Sequence, residues 1–387
     1  MTPIRDSFGF RSAGQVIFGG GRAADLPELV AAWGARALVV TGTRPDRHGP
    51  LIAALPMPAS VFSAAGEPTL DTARAALRAA VDVGADVVIA IGGGSALDLG
   101  KSVAMLLGNG GDPLDYLEVI GRGRPITAPS VPFAAVPTTA GTGAEVTENA
   151  VLASPDHGRK ASLRSPLMMP RLALVDPLLT LGCPPRVTAA SGLDALTQCL
   201  EPFVSPQASP VTDALAEQGL RRAAAGLRAA YLNGADEAAR SDLALCSLLG
   251  GMSLANAKLG VVHGFAGVVG GMVDASHGAI CAALLTAVVQ ANVRALRSRD
   301  PAGPGLARYR SAAALLTGRP DASVEDGISW LRHTVDLLGV PGLSELGVAR
   351  DDVDEIVAKT RTASSTRGNP IMLADDELRE ALLGSMG

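Results

Sequence analysis

Aromatic side chains make up only 3% of this 387-residue sequence, so its core has few large rings and must be built from small aliphatic side chains. Cysteine is also sparse. Cys183, Cys199, Cys246 and Cys281 show no Cys-x-x-Cys spacing and read as buried thiols in a reducing compartment, not a disulfide framework. No Lys/Arg cluster offsets the net charge of −5, which argues against nucleic acid as a partner. No uninterrupted apolar run reaches the ~18 residues of a membrane span. Met1 to Arg11 carry charges where a signal peptide would have its apolar region. A cytoplasmic chain with no membrane partner is expected. What is present, 48% apolar and 18% charged residues, describes a globular protein long enough for two domains.

The first ~180 residues alternate apolar strands with amphipathic helices, the pattern of a wound parallel sheet. Strands are expected at Ala37–Thr41, Ser60–Ser63, Val87–Ile91, Phe133–Val136 and Ala173–Val175, with helices at Ala23–Trp33 and Leu70–Val83. After Asp176-Pro177 the chain turns Ala/Leu-rich and helical, with long helices expected at Val211–Tyr231, Glu237–Asn256, Gly278–Arg297 and Val324–Leu338. The fold class is thus an N-terminal α/β domain with a parallel Rossmann-like sheet (1–180), followed by an all-α domain (181–387). Such a plan places a cofactor site in the first half and a ligand cleft between the halves.

Two loops carry the signal for nucleotide. Gly92-Gly93-Gly94-Ser95 follows the strand ending at Ile91 and opens a helix, a geometry that offers backbone N–H groups to an anion. The same glycines suit an ordinary turn between strand and helix. Pro137-Thr138-Thr139-Ala140-Gly141-Thr142-Gly143 follows the next strand, and its three hydroxyls suit a diphosphate or ribose, or else cap their own backbone. In the second half Asp194 and Gln198 stand at i and i+4 on one helical face. His263 and His277 sit in apolar, glycine-rich surroundings, where an uncompensated ring is costly. One carboxylate and two imidazoles suit a divalent transition metal; two hydrogen-bonded core histidines fit the pattern as well. His48, His157 and His333 lie in polar stretches and are expected to be solvated.

Together these segments resemble the iron-containing (group III) alcohol dehydrogenases from about residue 10 to at least residue 295. The resemblance is carried by Gly92–Ser95 with Asp98 and Lys101, by Pro137–Gly143 with Glu145, by Gly192 with Asp194–Thr197, and by His263 with Ser276-His277-Gly278. It implies that Gly93, Gly94 and Ser95 line the pyrophosphate with Asp98 nearby, and that Thr138, Thr139 and Thr142 contact the cofactor. Lys160 matches a lysine at the nicotinamide ribose, although it also reads as a solvated surface residue. Asp194, His263 and His277 match three of four metal ligands, and also the catalytic centre. A homodimer is implied as well.

Two positions depart from the pattern. Gln198, the fourth metal ligand by position, stands where the family usually has histidine, and a neutral amide is a weaker ligand for Fe²⁺ or Zn²⁺ than imidazole. Gly267 stands where many members carry a histidine thought to relay a proton. After the strand ending at Thr41, Gly42-Thr43-Arg44 replaces the aspartate frequent in NAD-preferring members, so Arg44 or Arg47 could pair with the 2′-phosphate of NADP, unless both are plain surface charges. The expected activity is NAD(P)-dependent interconversion of a small alcohol and its aldehyde or ketone, assisted by a divalent metal. A maleylacetate-reductase-like keto-acid reductase, a dehydroquinate-synthase-like lyase and a metal-free binding protein are the alternatives. From Ser253 to Cys281 the chain offers Lys258 as its one cation of the Lys/Arg type, which counts against the lyase and its anionic substrate.

Overall fold

The computed structural model describes residues 7–387. Residues 1–6, part of the stretch read for a signal peptide, lie outside the described residues. The chain divides into two compact units: Ser12–Thr139 with Gly143–Gly182, and Cys183–Gly387 with the residues up to Arg11 and Ala140–Thr142.

The α/β unit contains strands β1 (Gln15–Phe18), β2 (Ala37–Thr41), β3 (Ala59–Ser63), β4 (Val87–Gly92), β5 (Phe133–Pro137), β6 (Asn149–Ser154), β7 (Arg159–Arg164) and β8 (Leu172–Val175). Its helices are α1 (Leu26–Val30), α2 (Gly49–Ala53), α3 (Leu70–Asp82), α4 (Gly94–Asn109) and α5 (Pro113–Tyr116). Six strands form one parallel sheet in the order β1-β8-β5-β4-β2-β3. Side chains alternate across it with the period of two that strands impose. Leu38, Val40, Val88, Ala90, Phe133 and Ala135 face one core; Ala37, Val39, Val87, Ile89, Ile91, Ala134 and Val136 face the other. Both faces are covered, which is why these strands read as unbroken apolar runs.

From β2 the chain moves outward to β3, then crosses back to β4 on the other side, so the order reverses between β2 and β4. At such a switch point the loops beyond the strand ends diverge and leave a crevice. The Gly92–Ser95 loop lies beyond β4 and Gly42–Arg44 beyond β2. A Cβ on Gly92 would lie 3.5 Å from the Gly42 amide nitrogen.

The expected helix over 23–33 is instead a 3₁₀ turn at Arg22–Asp25 and the five-residue α1, because Pro27 in the first turn of α1 has no N–H to continue the preceding ladder. Strands β1, β6 and β7 were not anticipated. β6 and β7 pair with each other, antiparallel, and bury one face (Ala150, Leu152, Ala161, Leu163) in the core that also holds Leu97 and Val103 of α4. The three cations of β7 hide its alternation from a composition reading.

The helical unit contains α6 (Pro185–Val204), α7 (Pro210–Leu232), α8 (Glu237–Ala257), α9 (Val261–Val269), α10 (His277–Arg299), α11 (Pro304–Thr317), α12 (Val324–Leu337), α13 (Val353–Thr362) and α14 (Asp375–Leu383). Its helices approach closely through glycine in place of aromatic rings. A Cβ on Gly219 would sit 2.3 Å from Cys199 Sγ, and one on Gly278 would sit 2.6 Å from the Ala190 carbonyl. The latter contact seats the N-terminus of α10 against α6. By helix length and mean hydropathy α10 could cross a membrane although it holds no uninterrupted apolar run of that length, because its polar residues are scattered and mostly uncharged. Two-thirds of that apolar window is buried among the other helices, as befits a core helix. Cys183 is only partly buried, whereas the other three thiols are fully enclosed.

Candidate metal centre and nucleotide loops

The metal-type residues of the helical unit converge. Asp194 projects from the middle of α6, His263 from the first turn of α9 and His277 from the start of α10. His263 Nε2 lies 3.2 Å from Asp194 Oδ1, and the two imidazole centroids are 5.5 Å apart. A fourth donor joins them: Cys281, one turn beyond His277, so that one ligand atom from each of the four lies within 4.8 Å of all the others.

A second carboxylate, Glu201, organises this cluster from behind. Its Oε2 lies 2.7 Å from His263 Nδ1, and its Oε1 accepts the Val262 N–H at 2.8 Å. Glu201 therefore caps the N-terminus of α9 together with Asn369, whose Oδ1 accepts the Val261 N–H at 3.2 Å, and by pairing with Nδ1 it turns the Nε2 edge of His263 towards Asp194. Gly260 leaves the space, since a Cβ there would lie 2.7 Å from Glu201 Oε1. Glu201 and Cys281 were missed as functional residues. Their signals were spacing alone: Glu201 two turns after Asp194, and Cys281 four residues after His277.

Charge is concentrated here in a buried setting. Burial alone would raise the Asp194 carboxyl, but the His263 hydrogen bond and the charges of His277 and His263 outweigh it and hold the group below the usual carboxylate range. Burial also opposes both imidazolium forms. Cys281 and the neighbouring carboxylates overcome this, pushing His277 up to about 9 and His263 well above its ordinary value. A cation is therefore favoured at this point, and a divalent ion would replace those protons.

Gln198 fits the same conclusion. Its side chain hydrogen-bonds to Asp194, it is buried, and its Oε1 has no hydrogen-bond partner among the described residues. An orphaned buried acceptor beside a carboxylate and two imidazoles is what an ion or its water would satisfy. Gly267 is exposed, and a Cβ there would meet nothing within 4 Å, so there is space for a larger side chain at the position where many family members carry a histidine.

In the α/β unit the two loops leave adjacent strands. β4 and β5 run parallel with Gly92 opposite Pro137. No side chain caps the N-terminus of α4, and Gly93 is the residue before it. A Cβ on Gly93 would come within 3.2 Å of Thr139 Oγ1, so glycine keeps the two loops in contact with the backbone of Gly94 and Ser95 uncovered. Thr138 and Thr139 belong to this unit, whereas Thr142 lies in the segment that groups with the helical unit. Asp98 accepts the Val151 N–H at 3.0 Å, tying α4 to β6. Lys160, on β7, pairs with Glu67 and is only 12% exposed, so it is not a solvated surface lysine. His157 and His333 are exposed as expected, while His48 is half-buried and its pKa is lowered by burial and by Arg47.

Lys101 is fully buried beneath the threonine loop. Its ammonium donates to the carbonyls of Ala144 (2.7 Å), Thr147 (2.8 Å) and Asn149 (2.7 Å). Burial pulls its pKa down to about 8 and pushes that of the neighbouring Glu145 up to about 7. A carboxyl raised from 4.5 to about 7 on folding gives stability that is fully present below pH 4.5 and lost as pH rises through 7. Glu145→Gln is therefore expected to gain stability relative to the wild type between pH 5 and pH 8, by up to roughly 3 kcal/mol. Denaturant melts at the two pH values check this; an unchanged difference would mean that Glu145 ionises freely in the folded state.

The sequence of residues 13–177 matches the family model for iron-containing alcohol dehydrogenase, and residues 188–386 match that for the C-terminal domain of the same family. Alcohol dehydrogenase 4 of Saccharomyces cerevisiae (strain ATCC 204508 / S288c) is 32% identical over 312 residues, covering 80% of this chain and 78% of that protein. Among solved structures, a 1,3-propanediol oxidoreductase superposes with a TM-score of 0.89 at 29% identity, over 98% of this chain and 100% of its own. Sulfoacetaldehyde reductase from Bifidobacterium kashiwanohense, solved in complex with NAD⁺, superposes with a TM-score of 0.85 at 26% identity, over 97% and 98% of the two chains.

Proposed function

This chain belongs to the iron-containing alcohol dehydrogenase family, and from that premise we propose that Asp194, His263 and His277 hold the divalent ion with which it interconverts a small alcohol and its aldehyde or ketone. The convergence of these three donors, with the orphaned Gln198 oxygen beside them, carries the reading. When bound, the ion supplies positive charge against the negative charge that develops on the substrate oxygen, and NAD(P) accepts or delivers the hydride. Glu201 fixes the tautomer of His263, and Gln198 holds Asp194 from the side. Burial of Asp194 and His263 keeps bulk water from competing for these donors.

Gly93, Gly94 and Ser95 at the start of α4 bind the dinucleotide pyrophosphate, with Thr138, Thr139 and Thr142 as further contacts, Asp98 nearby and Lys160 towards the nicotinamide ribose. The Gly42–Arg44 turn carries no carboxylate, and Arg44 is exposed, which supports acceptance of NADP as well as NAD. None of the four cysteines forms a disulfide, and Cys199 and Cys246 stay unlinked at an Sγ separation of 3.8 Å, which supports a reducing, cytoplasmic setting. A homodimer rests on the family resemblance alone.

Nicotinamide absorbance, followed with NADH or NADPH and a panel of short aldehydes, is expected to fall only in protein supplied with Fe²⁺ or Zn²⁺. No turnover under any metal condition, together with no dinucleotide binding, would remove the proposal.

A further inference from the structure

The reading above leaves the ion's fourth position unassigned. We propose that the Cys281 thiolate fills it, so that the centre is an Asp/His/His/Cys site; this rests on Asp194, His263 and His277 being the other ligands. Cys281 follows His277 by four residues on α10, so both side chains leave the same face. The thiol is fully buried, and its Sγ lies 3.6 Å from His277 Nε2. Ligand atoms bound at roughly 2.0–2.3 Å to a tetrahedral ion stand about 3.3–3.6 Å from one another. The 3.6 Å between His277 and Cys281 and the 3.2 Å between His263 and Asp194 have that spacing.

Glu201 behind His263 already gives the centre a second carboxylate besides Asp194, so the choice of the thiolate over Gln198 rests on the donor geometry and on the stronger bond a thiolate makes to a borderline ion. Binding exchanges the S–H bond for an S–metal bond and releases the proton to solvent, with no change of oxidation state. A thiolate softens the donor set and selects Zn²⁺ or Co²⁺ over Fe²⁺.

Cobalt reports the bond directly, because a thiolate ligand adds a charge-transfer absorption in the near ultraviolet. Titration with Co²⁺ is expected to bind one ion per chain with that band in the wild type. Cys281→Ser is expected to retain the ion at least about 10-fold more weakly and to lack the band. X-ray absorption of the zinc-loaded wild type is expected to show one sulfur at roughly 2.3 Å, and it decides the matter should the serine variant not fold. An ion bound without the band or the sulfur, or a band that survives in Cys281→Ser, overturns the thiolate and leaves the three-ligand centre standing. A wild type that binds no ion, or binds it no better than Asp194→Ala, overturns the centre itself.

Discussion

Asp194→Ala is expected to lower turnover of aldehyde by at least ~10³-fold while changing dinucleotide affinity by less than ~3-fold. The carboxylate is the one formally anionic oxygen ligand among the three proposed, and it also supports the charge of both neighbouring imidazoles. Its loss removes the ion and with it several kcal/mol of stabilisation of the charge developing on the substrate oxygen, which corresponds to the expected fall in rate. The glycine loop does not depend on it: the Gly92–Ser95 turn is built by β4 and α4 in the α/β unit. Steady-state kinetics, elemental analysis and calorimetric titration with NAD⁺ separate the two effects. A variant that keeps activity within ~10-fold of the wild type would show that chemistry does not pass through this cluster. Equal loss of dinucleotide binding would show that the substitution had disturbed the fold.

Lys101→Met is expected to cost about 3–5 kcal/mol in unfolding free energy, the largest stability effect of any single change considered. Methionine approximates the volume but donates nothing. Three backbone carbonyls within 2.8 Å of the ammonium would lose their donor together, in a place that water does not reach. Those carbonyls belong to Ala144, Thr147 and Asn149, so the segment immediately after the threonine loop loses its tether. Weaker dinucleotide binding is therefore expected along with the lower stability. Urea melts followed by circular dichroism, with dinucleotide titration of the folded variant, provide the check. A cost below about 1 kcal/mol would mean that the loop rearranges to reach water.

The central strands were legible because a sheet covered on both faces demands continuous apolar residues, and Ala37–Thr41 and Val87–Ile91 supply them without interruption. The long helices of the second half were legible for a related reason: apolar periodicity begins at Pro210, Glu237 and Val324, just after recognisable N-caps at Ser209, Asp236 and Ser323. β6 and β7 were not legible. Their apolar face is set by a helix roughly fifty residues earlier in the chain, and the opposite face of β7 carries Lys160 and Arg164.

The candidate centre divides along the same line. Residue types and loop patterns were enough to nominate Asp194, His263, His277 and the glycine turn, because few side chains ligate metals and few backbones accept a diphosphate. That these three donors meet depends on how α6, α9 and α10 pack, a matter of tertiary contacts such as Gly278 against Ala190. The same packing turns Glu201 from one more acidic residue on a helix into the group that orients His263, and brings Cys281 within reach of the ligands. Local chemistry is written in each segment, whereas distances between side chains sixty to ninety residues apart are set by the packing of the helices that carry them.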